Sequence, residues 1–153
     1  MVRVRGNQKM ARVEKIVIDA SVAVKWYNVE TDTEKALRLR TAYAAGRVDI
    51  AAPYLITYEI ANSLRYNPDF GEMDVASAMK DLLDMQIDLR LLDPEQIEKS
   101  LELAYRHGIT LYDSAYLALA ETGGMTLYTA DDRLLTKVPA SLVKHLRDYS
   151  KPS

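Results

Sequence analysis

The chain has 153 residues, of which 48% are hydrophobic and 27% are charged, and its formal net charge is −2. This length suits one domain, and the composition is that of a globular protein. The absence of cysteine excludes disulfides, thiolate zinc sites and cysteine nucleophiles, and two histidines offer little to a histidine-rich metal site. No apolar run approaches about 18 residues, and no segment resembles a secretory signal, so we expect a cytoplasmic protein with no membrane partner.

Basic residues are concentrated near the start of the chain. Residues 1–14 contain four of them against the single acid Glu14. We predict that residues 1–14 form a basic arm, which is either a disordered tail or a segment that contacts phosphate groups. Because the net charge is negative, nucleic acid would have to bind through a local patch. Candidates for this patch, for which exposed helix faces are the commoner explanation, are Arg38, Arg40, Arg65 and Lys80.

Segments with the pattern of strands alternate along the chain with segments that have the pattern of helices. Short apolar runs predict strands over residues 15–18, 48–51, 87–92, 125–129 and 142–146. Helix starts are predicted in chain order after Asp19 and at Thr31, Pro53, Gly71, Asp93 and Thr110. Thr31 and Glu34 have the spacing of a capping box for the second of these helices.

This alternation predicts an α/β domain over residues 15–148. A mainly parallel sheet of about five strands would lie between two layers of helices, in a three-layer αβα fold. Right-handed crossovers place the carboxyl ends of parallel strands on one edge of the sheet. Ligands of open α/β sheets bind outside that edge, so the residues that follow each strand are the candidates for a functional site.

Four acidic residues are expected at or near this edge. Asp19 follows the first strand, and Asp131, with its neighbour Asp132, follows the fourth. Asp113 lies in the first turn of the helix before the fourth strand. Glu59 lies in an otherwise apolar helix, where a charge is costly unless it is paired.

Each acid also has a structural explanation. Asp19 and Asp131 have the positions of helix caps, and Asp113 has that of a capping-box partner or of a charge that favours the helix dipole. Glu59 would be explained by a buried salt bridge to an arginine. These explanations treat the acids separately, however, whereas the predicted fold brings at least two of them to the same edge.

Converging carboxylates need compensation. Two of them about 4 Å apart repel by roughly 4 kcal/mol at an effective dielectric constant of 20. They must therefore bind a cation or take up protons. Ligand sets made only of oxygen suit hard ions, so we expect Mg²⁺ or Mn²⁺ rather than zinc, and such an ion would serve hydrolysis of a phosphodiester.

Four segments of the chain contain these acids with their polar neighbours: Val17-Ile18-Asp19-Ala20-Ser21, 58–64, 111–120 and 129–134. In this order and spacing they resemble the PIN-domain nucleases, and among them the VapC toxins of VapBC toxin–antitoxin pairs. The resemblance extends from about Lys15 to Leu146, and four motifs in this order are far more specific than any one of them.

The resemblance implies an endoribonuclease that depends on Mg²⁺ or Mn²⁺, in which an activated water attacks the phosphorus. It implies a homodimer held inactive by a VapB-like antitoxin. By position, the metal ligands and catalytic acids would be Asp19, Glu59, Asp113 and Asp131. Polar positions that orient the acids or their waters would be Ser21, Asn62 and Thr129. Only the Thr-x-Asp spacing favours Asp131 over Asp132 as the fourth acid.

Three other classes of protein remain open at this point. A signalling receiver domain has a similar sheet but needs a second acid beside Asp19 and a phospho-acceptor after a middle strand. A haloacid-dehalogenase-like phosphatase needs Asp-x-Asp after the first strand, where position 21 is serine. A PIN fold that binds RNA or protein without cleaving is disfavoured by the presence of all four acids, but the sequence does not exclude it.

Overall fold

A sheet of five parallel strands lies at the centre of the computed structural model, which describes residues 13–150. The strand order is β3-β2-β1-β4-β5. The strands are β1 (Glu14–Ile18), β2 (Val48–Pro53), β3 (Asp88–Arg90), β4 (Leu127–Thr129) and β5 (Val143–His145). Val17 of β1 is in register with Ala51 of β2 on one side and with Leu127 of β4 on the other.

Helices flank both faces of the sheet, which is the predicted three-layer arrangement. In residues 13–150 they are α1 (Ala20–Ala23), α2 (Thr33–Ala44), α3 (Leu55–Arg65), α4 (Glu72–Asp84), α5 (Pro94–His107), α6 (Leu111–Gly123) and α7 (Asp132–Lys137). Two 3₁₀ turns lie at Val24–Trp26 and Leu146–Asp148. Strands β1 and β4 are parallel neighbours in the sheet, so their carboxyl ends lie side by side.

The core is formed by continuous apolar runs rather than by alternating ones. Ile16, Val17 and Ile18 of β1 are fully buried, as expected for a parallel strand covered on both faces. Residues 116–120 of α6 are buried as well, and this helix contacts β1 and β2. Asp19 follows the buried strand β1, and Asp113 lies in the first turn of α6, so both acids are attached to elements of the core.

Two local predictions about helix starts are wrong. The capping box of Thr31 and Glu34 does not form, because α2 begins at Thr33. The Thr33 hydroxyl instead accepts a hydrogen bond from the backbone N–H of Glu30, whose carboxylate pairs with the buried Lys25 at 2.9 Å. The turn before α2 therefore has contacts other than those of the predicted capping box.

Pro53 ends a strand rather than opening a helix. Strand β2 extends past the predicted limit of Ala51 because Ala52 and Pro53 pair with Leu89 and Arg90 of β3. Helix α3 then begins at Leu55.

The predicted basic arm lies almost wholly outside the described residues. Residues 1–12 are not described, and Glu14, the last residue assigned to the arm, begins β1. Among residues 13–150, no helix is both long and apolar enough to cross a membrane.

The start of α5 is as the sequence predicts. The Asp93 carboxylate accepts a hydrogen bond of 2.8 Å from the Gln96 N–H, and Pro94 is the first helical residue. At the other end, Gly108 has a φ of 64°, a left-handed conformation that glycine adopts without a steric penalty.

We predict that Asp93→Ala lowers the free energy of unfolding by about 1 kcal/mol, since it removes a side-chain N-cap. Urea denaturation measures this change through the transition midpoint. Glu95→Ala, an exposed change in the same first turn, is the matched control. If both variants lose the same amount, the capping hydrogen bond is not the cause.

Candidate active site

The site is built where β1 and β4 end side by side. The backbone N–H of Asp19, the residue after β1, donates to the carbonyl of Tyr128 in β4. Thr129, the last residue of β4, is fully buried beside it. The parallel register therefore brings the residues after both strands to the same edge, as predicted.

Neutral donors hold the Asp19 carboxylate. It accepts hydrogen bonds from the backbone N–H of Ser21, at 3.0 Å, and from the Ser21 hydroxyl. The same hydroxyl accepts the Ala130 N–H at 2.8 Å, and Thr129 Oγ1 lies 3.3 Å from it. Ser21 thus ties Asp19 to the loop that follows β4, and Asp19 is at the same time the N-cap of α1.

Burial makes the Asp19 carboxylate unusually basic. The residue is only 6% exposed, and this desolvation raises its pKa from 3.8 to about 6. The hydrogen bonds from Ser21 and Thr129 oppose the rise, and the negative charge of Asp113 adds to it. The side chain is therefore a desolvated carboxylate with hydroxyl partners and an acidic neighbour.

Glu59 lies on α3 and faces α6. The buried Tyr116 hydroxyl donates to its Oε1 at 2.5 Å. Burial raises the pKa of Glu59, the hydrogen bond from Tyr116 opposes this, and the charge of Asp113 raises it further. The arginine salt bridge that would have given Glu59 a purely structural role is absent from residues 13–150.

Asp113 is the electrostatic centre of the group. Its backbone N–H donates to the Thr110 hydroxyl at 3.0 Å, which fixes the first turn of α6. Burial raises the pKa of Asp113, and so does the charge of Asp131, while Thr110, Arg133 and Lys137 oppose the rise. Asp113 therefore interacts with Asp19, Glu59 and Asp131 at once.

Asp131 and Asp132 point to different neighbours. Asp131 caps α7, its N–H donates to Thr129 Oγ1, and its charge acts on Asp113. Asp132 is 71% exposed at its side chain and lies 3.3 Å from Arg147 and 3.7 Å from His145. Asp131 is thus the member of the pair that belongs to the acidic group.

The three predicted orienting residues differ in their surroundings. Ser21 and Thr129 lie in the hydrogen-bond network of Asp19. Asn62 is exposed on α3 beside a groove that Arg65 also lines, and it has no hydrogen bond to any of the four acids in the described part of the chain. Its orienting role stays a prediction.

The donor chemistry of the group suits a hard divalent cation. Within residues 13–150, Asp19, Glu59 and Asp113 form no ion pair, whereas Asp131 contacts the exposed Arg133 through the guanidinium at 3.4 Å and through the backbone N–H at 2.9 Å. No group of three acidic or histidine side chains among these residues is placed so that it could hold a metal ion without rearrangement. The fit to Mg²⁺ or Mn²⁺ therefore rests on the oxygen chemistry of the donors and on the lack of an ion pair at three of the four acids.

Sequence reasoning missed Tyr116. It lies three residues after Asp113 on α6, so helical spacing places both on one face. Its position within a buried apolar run made it resemble an ordinary core residue, and only the packing of α3 against α6 reveals its contact with Glu59.

Comparison with known proteins identifies the family of this chain. The PIN domain family model matches residues 16–140. Ribonuclease VapC3 of Pyrobaculum aerophilum is 34% identical over 131 residues, which cover 82% of this chain and 96% of that protein. Exonuclease VapC9 of the same organism is 30% identical over 96 residues, which cover 63% of this chain and 72% of that protein.

A solved structure shares the fold. A toxin-antitoxin complex from Klebsiella pneumoniae contains a chain that superimposes with a TM-score of 0.65, at 14% identity, covering 86% of this chain and 97% of that one. The family match confirms the resemblance and excludes the receiver and phosphatase alternatives. The chain with these four acids at the carboxyl edge of its sheet belongs to the PIN domain family.

Proposed function

We propose that this protein is an endoribonuclease that depends on Mg²⁺ or Mn²⁺ and is the toxin of a toxin–antitoxin pair. One observation carries the proposal. Three desolvated carboxylates from separate elements, Asp19, Glu59 and Asp113, lie near one another, and none of them forms an ion pair within residues 13–150. The charge of Asp113 raises the pKa of the other two, and the charge of Asp131 raises that of Asp113. Membership of the PIN family and the similarity to Ribonuclease VapC3 support phosphodiester hydrolysis as the reaction.

The acids would act as ligands, and neutral groups would fix their orientation. Asp19, Glu59 and Asp113 would hold the cation, with Asp131 as the fourth acid. A bound divalent ion supplies charge neutralisation at the phosphate, activation of a water and stabilisation of the leaving oxygen. Ser21 and Tyr116 donate hydrogen bonds to Asp19 and Glu59 without cancelling their negative charge, and Thr110 fixes Asp113 by accepting its backbone N–H.

RNA would bind through local basic residues at the rim. Arg133 and Lys137 of α7 are close enough to Asp113 to lower its pKa, and the Arg133 side chain is almost fully exposed. Two of the arginines predicted for this role are engaged elsewhere, since Arg38 pairs with Glu34 and Arg40 pairs with Asp81. We assign the phosphate contact to α7 rather than to α2 because Arg133 and Lys137 act electrostatically on Asp113 of the acidic group.

The mode of cleavage is the finer part of the proposal. The relatives carry the names ribonuclease and exonuclease, so the names alone do not decide it. We propose endonucleolytic cleavage of RNA. A circular single-stranded RNA distinguishes the two modes, because only an endonuclease can open a molecule that has no ends.

Two protein partners complete the proposal. The similarity to a toxin-antitoxin complex supports a VapB-like antitoxin as the inhibitor. A second copy of this chain would cover an apolar groove of about 380 Å³ between the ends of β2 and β3 and helices α5 and α6. Leu91 and Leu92 lie on this groove and are 73% and 66% exposed. Exposed apolar side chains that line a groove are typical of protein–protein interfaces.

We predict that the purified protein opens circular RNA in Mg²⁺ or Mn²⁺ and that Asp113→Asn lowers the rate at least about 100-fold, since a ligand to the cation should matter more than its supporting residues do. Gel electrophoresis measures the rate, and a chelator should abolish it. Asp131→Asn should also be strongly impaired, whereas Asp132→Asn, at the adjacent exposed position, should stay near the wild-type rate. Equal losses in the last two variants would contradict the assignment of Asp131, and an Asp113→Asn protein that still cleaves would contradict the site.

We predict that Asp19→Asn raises the free energy of unfolding by about 1–3 kcal/mol at pH 7.5 in chelator, because one pKa unit corresponds to about 1.4 kcal/mol. The folded pKa of Asp19, about 6, exceeds the usual 3.8. Stability from the protonated form is therefore complete below pH 3.8 and lost as the pH rises to about 6. The advantage of the variant should accordingly shrink toward pH 5.

Urea denaturation with and without Mg²⁺ tests this prediction. Mg²⁺ should stabilise the wild type more than the variant. Asp88→Asn is the control of opposite sign, since hydrogen bonds from Arg90 and Lys15 lower the pKa of Asp88 to about 2 and its removal should destabilise the protein at either Mg²⁺ concentration. A loss of stability in Asp19→Asn would mean that the carboxylate acts as a structural cap.

We predict that Leu92→Asp weakens self-association at least about 10-fold, as expected when an apolar side chain is lost from an interface. Sedimentation velocity across a concentration range measures the dissociation constant. Val29→Asp, at a residue 92% exposed and away from the groove, should leave it unchanged. A wild-type protein that is monomeric at all concentrations would refute the dimer.

A further inference from the structure

Tyr116 forms a polar contact inside an apolar helix. Its side chain is only 2% exposed, yet its hydroxyl donates to Glu59 Oε1 at 2.5 Å. The contact joins α6 to α3 across 57 positions of the chain. A buried phenol needs a hydrogen-bond partner, and here the partner is a carboxylate of the acidic group.

The direction of this hydrogen bond is fixed by chemistry. A phenol has a proton to donate, whereas an ionised carboxylate can only accept, so the Tyr116 hydroxyl is the donor and Glu59 Oε1 is the acceptor. The hydrogen bond therefore runs from α6 to the carboxylate on α3.

The contact also restricts the orientation of Glu59. A glutamate has several rotatable bonds, and its carboxylate is free to turn unless something holds it. With Oε1 taken by Tyr116, Oε2 is left without a hydrogen-bond donor among residues 13–150. Groups that hold a metal ligand in this way commonly govern metal affinity.

We propose that Tyr116 is a positioning residue for the divalent cation, which presents the free oxygen of Glu59 to the site shared with Asp19 and Asp113. This inference rests on the proposed function. It gives the phenol a role beyond packing and makes α6 the source of two contributions, the ligand Asp113 and the donor Tyr116. The competing explanation is that Glu59 only satisfies a buried hydroxyl.

Metal binding in the absence of RNA separates the two explanations. Electron paramagnetic resonance of free Mn²⁺ measures the dissociation constant directly. Tyr116→Phe removes one oxygen and keeps the ring, and we expect it to weaken Mn²⁺ binding by about 10- to 100-fold. Tyr149→Phe is the matched control, because that phenol is also buried, lies outside the acidic group and has no hydrogen-bond partner within the described residues.

A double-mutant cycle tests whether Tyr116 acts through Glu59. In a Glu59→Gln background, Tyr116→Phe should weaken Mn²⁺ binding by less than about 2-fold, because the two residues belong to one interaction. Two losses that simply multiply would show that the phenol acts independently, which would overturn the proposal. Melting curves in chelator verify that each variant is folded.

The wild type offers a measurement that needs no variant. With ¹³C-labelled tyrosine, the Cζ resonance of Tyr116 should shift when Mg²⁺ is added, while that of Tyr149 stays in place. An unmoved Tyr116 resonance at saturating Mg²⁺, or an unchanged Mn²⁺ affinity in a folded Tyr116→Phe protein, would overturn the inference and leave the proposed function intact. A wild type that binds neither ion would refute the proposed function itself.

Discussion

Repulsion among carboxylates at one edge of the sheet is the constraint on which the site depends. The fold collects them from distant parts of the chain, since β1 and β4 end side by side and α3 and α6 pack beside those ends. Burial then makes each charge more costly, which is visible in the raised pKa values of Asp19, Glu59 and Asp113. A cation relieves this cost, and the protein provides none of its own that pairs with these three within residues 13–150.

The donors around the acids explain how such a site stays ordered. Ser21 and Tyr116 are neutral donors to Asp19 and Glu59, so they fix the direction of each carboxylate and leave its negative charge in place. Other acids of the protein form ion pairs with basic side chains. Asp88 lies between Lys15 and Arg90, and Asp81 pairs with Arg40, so these charges are already compensated. Asp19 and Glu59 therefore differ from these acids in having hydroxyl donors rather than cations as partners.

Much of this arrangement could be predicted from sequence. Apolar runs such as 15–18 predict buried parallel strands. The residue after such a strand lies at the carboxyl edge of the sheet, regardless of the conformation of the loop that follows. Asp19 and Asp131 follow from that rule, and the structure places both beside Thr129. Caps made by a few neighbouring residues, such as Asp93, were also predictable.

Features that depend on contacts between distant segments were not predictable. Helix α2 begins at Thr33, after a turn in which Glu30 pairs with the buried Lys25, and no local pattern reveals that pairing. The hydrogen bond from Tyr116 to Glu59 needs the packing of two helices, and periodicity alone makes Tyr116 look like any other core residue. Sequence patterns thus predicted where the acids lie in the fold, whereas their hydrogen-bond partners depend on tertiary contacts.

The central claim is that these carboxylates bind a divalent cation together. Crystals soaked in Mn²⁺ and measured at the manganese absorption edge test it most directly, because anomalous scattering locates the ion independently of any assay. The account predicts a strong peak within coordination distance of Asp19 and Asp113. A saturated crystal with no peak at these acids, or with its peak at the exposed Asp132 alone, would contradict it.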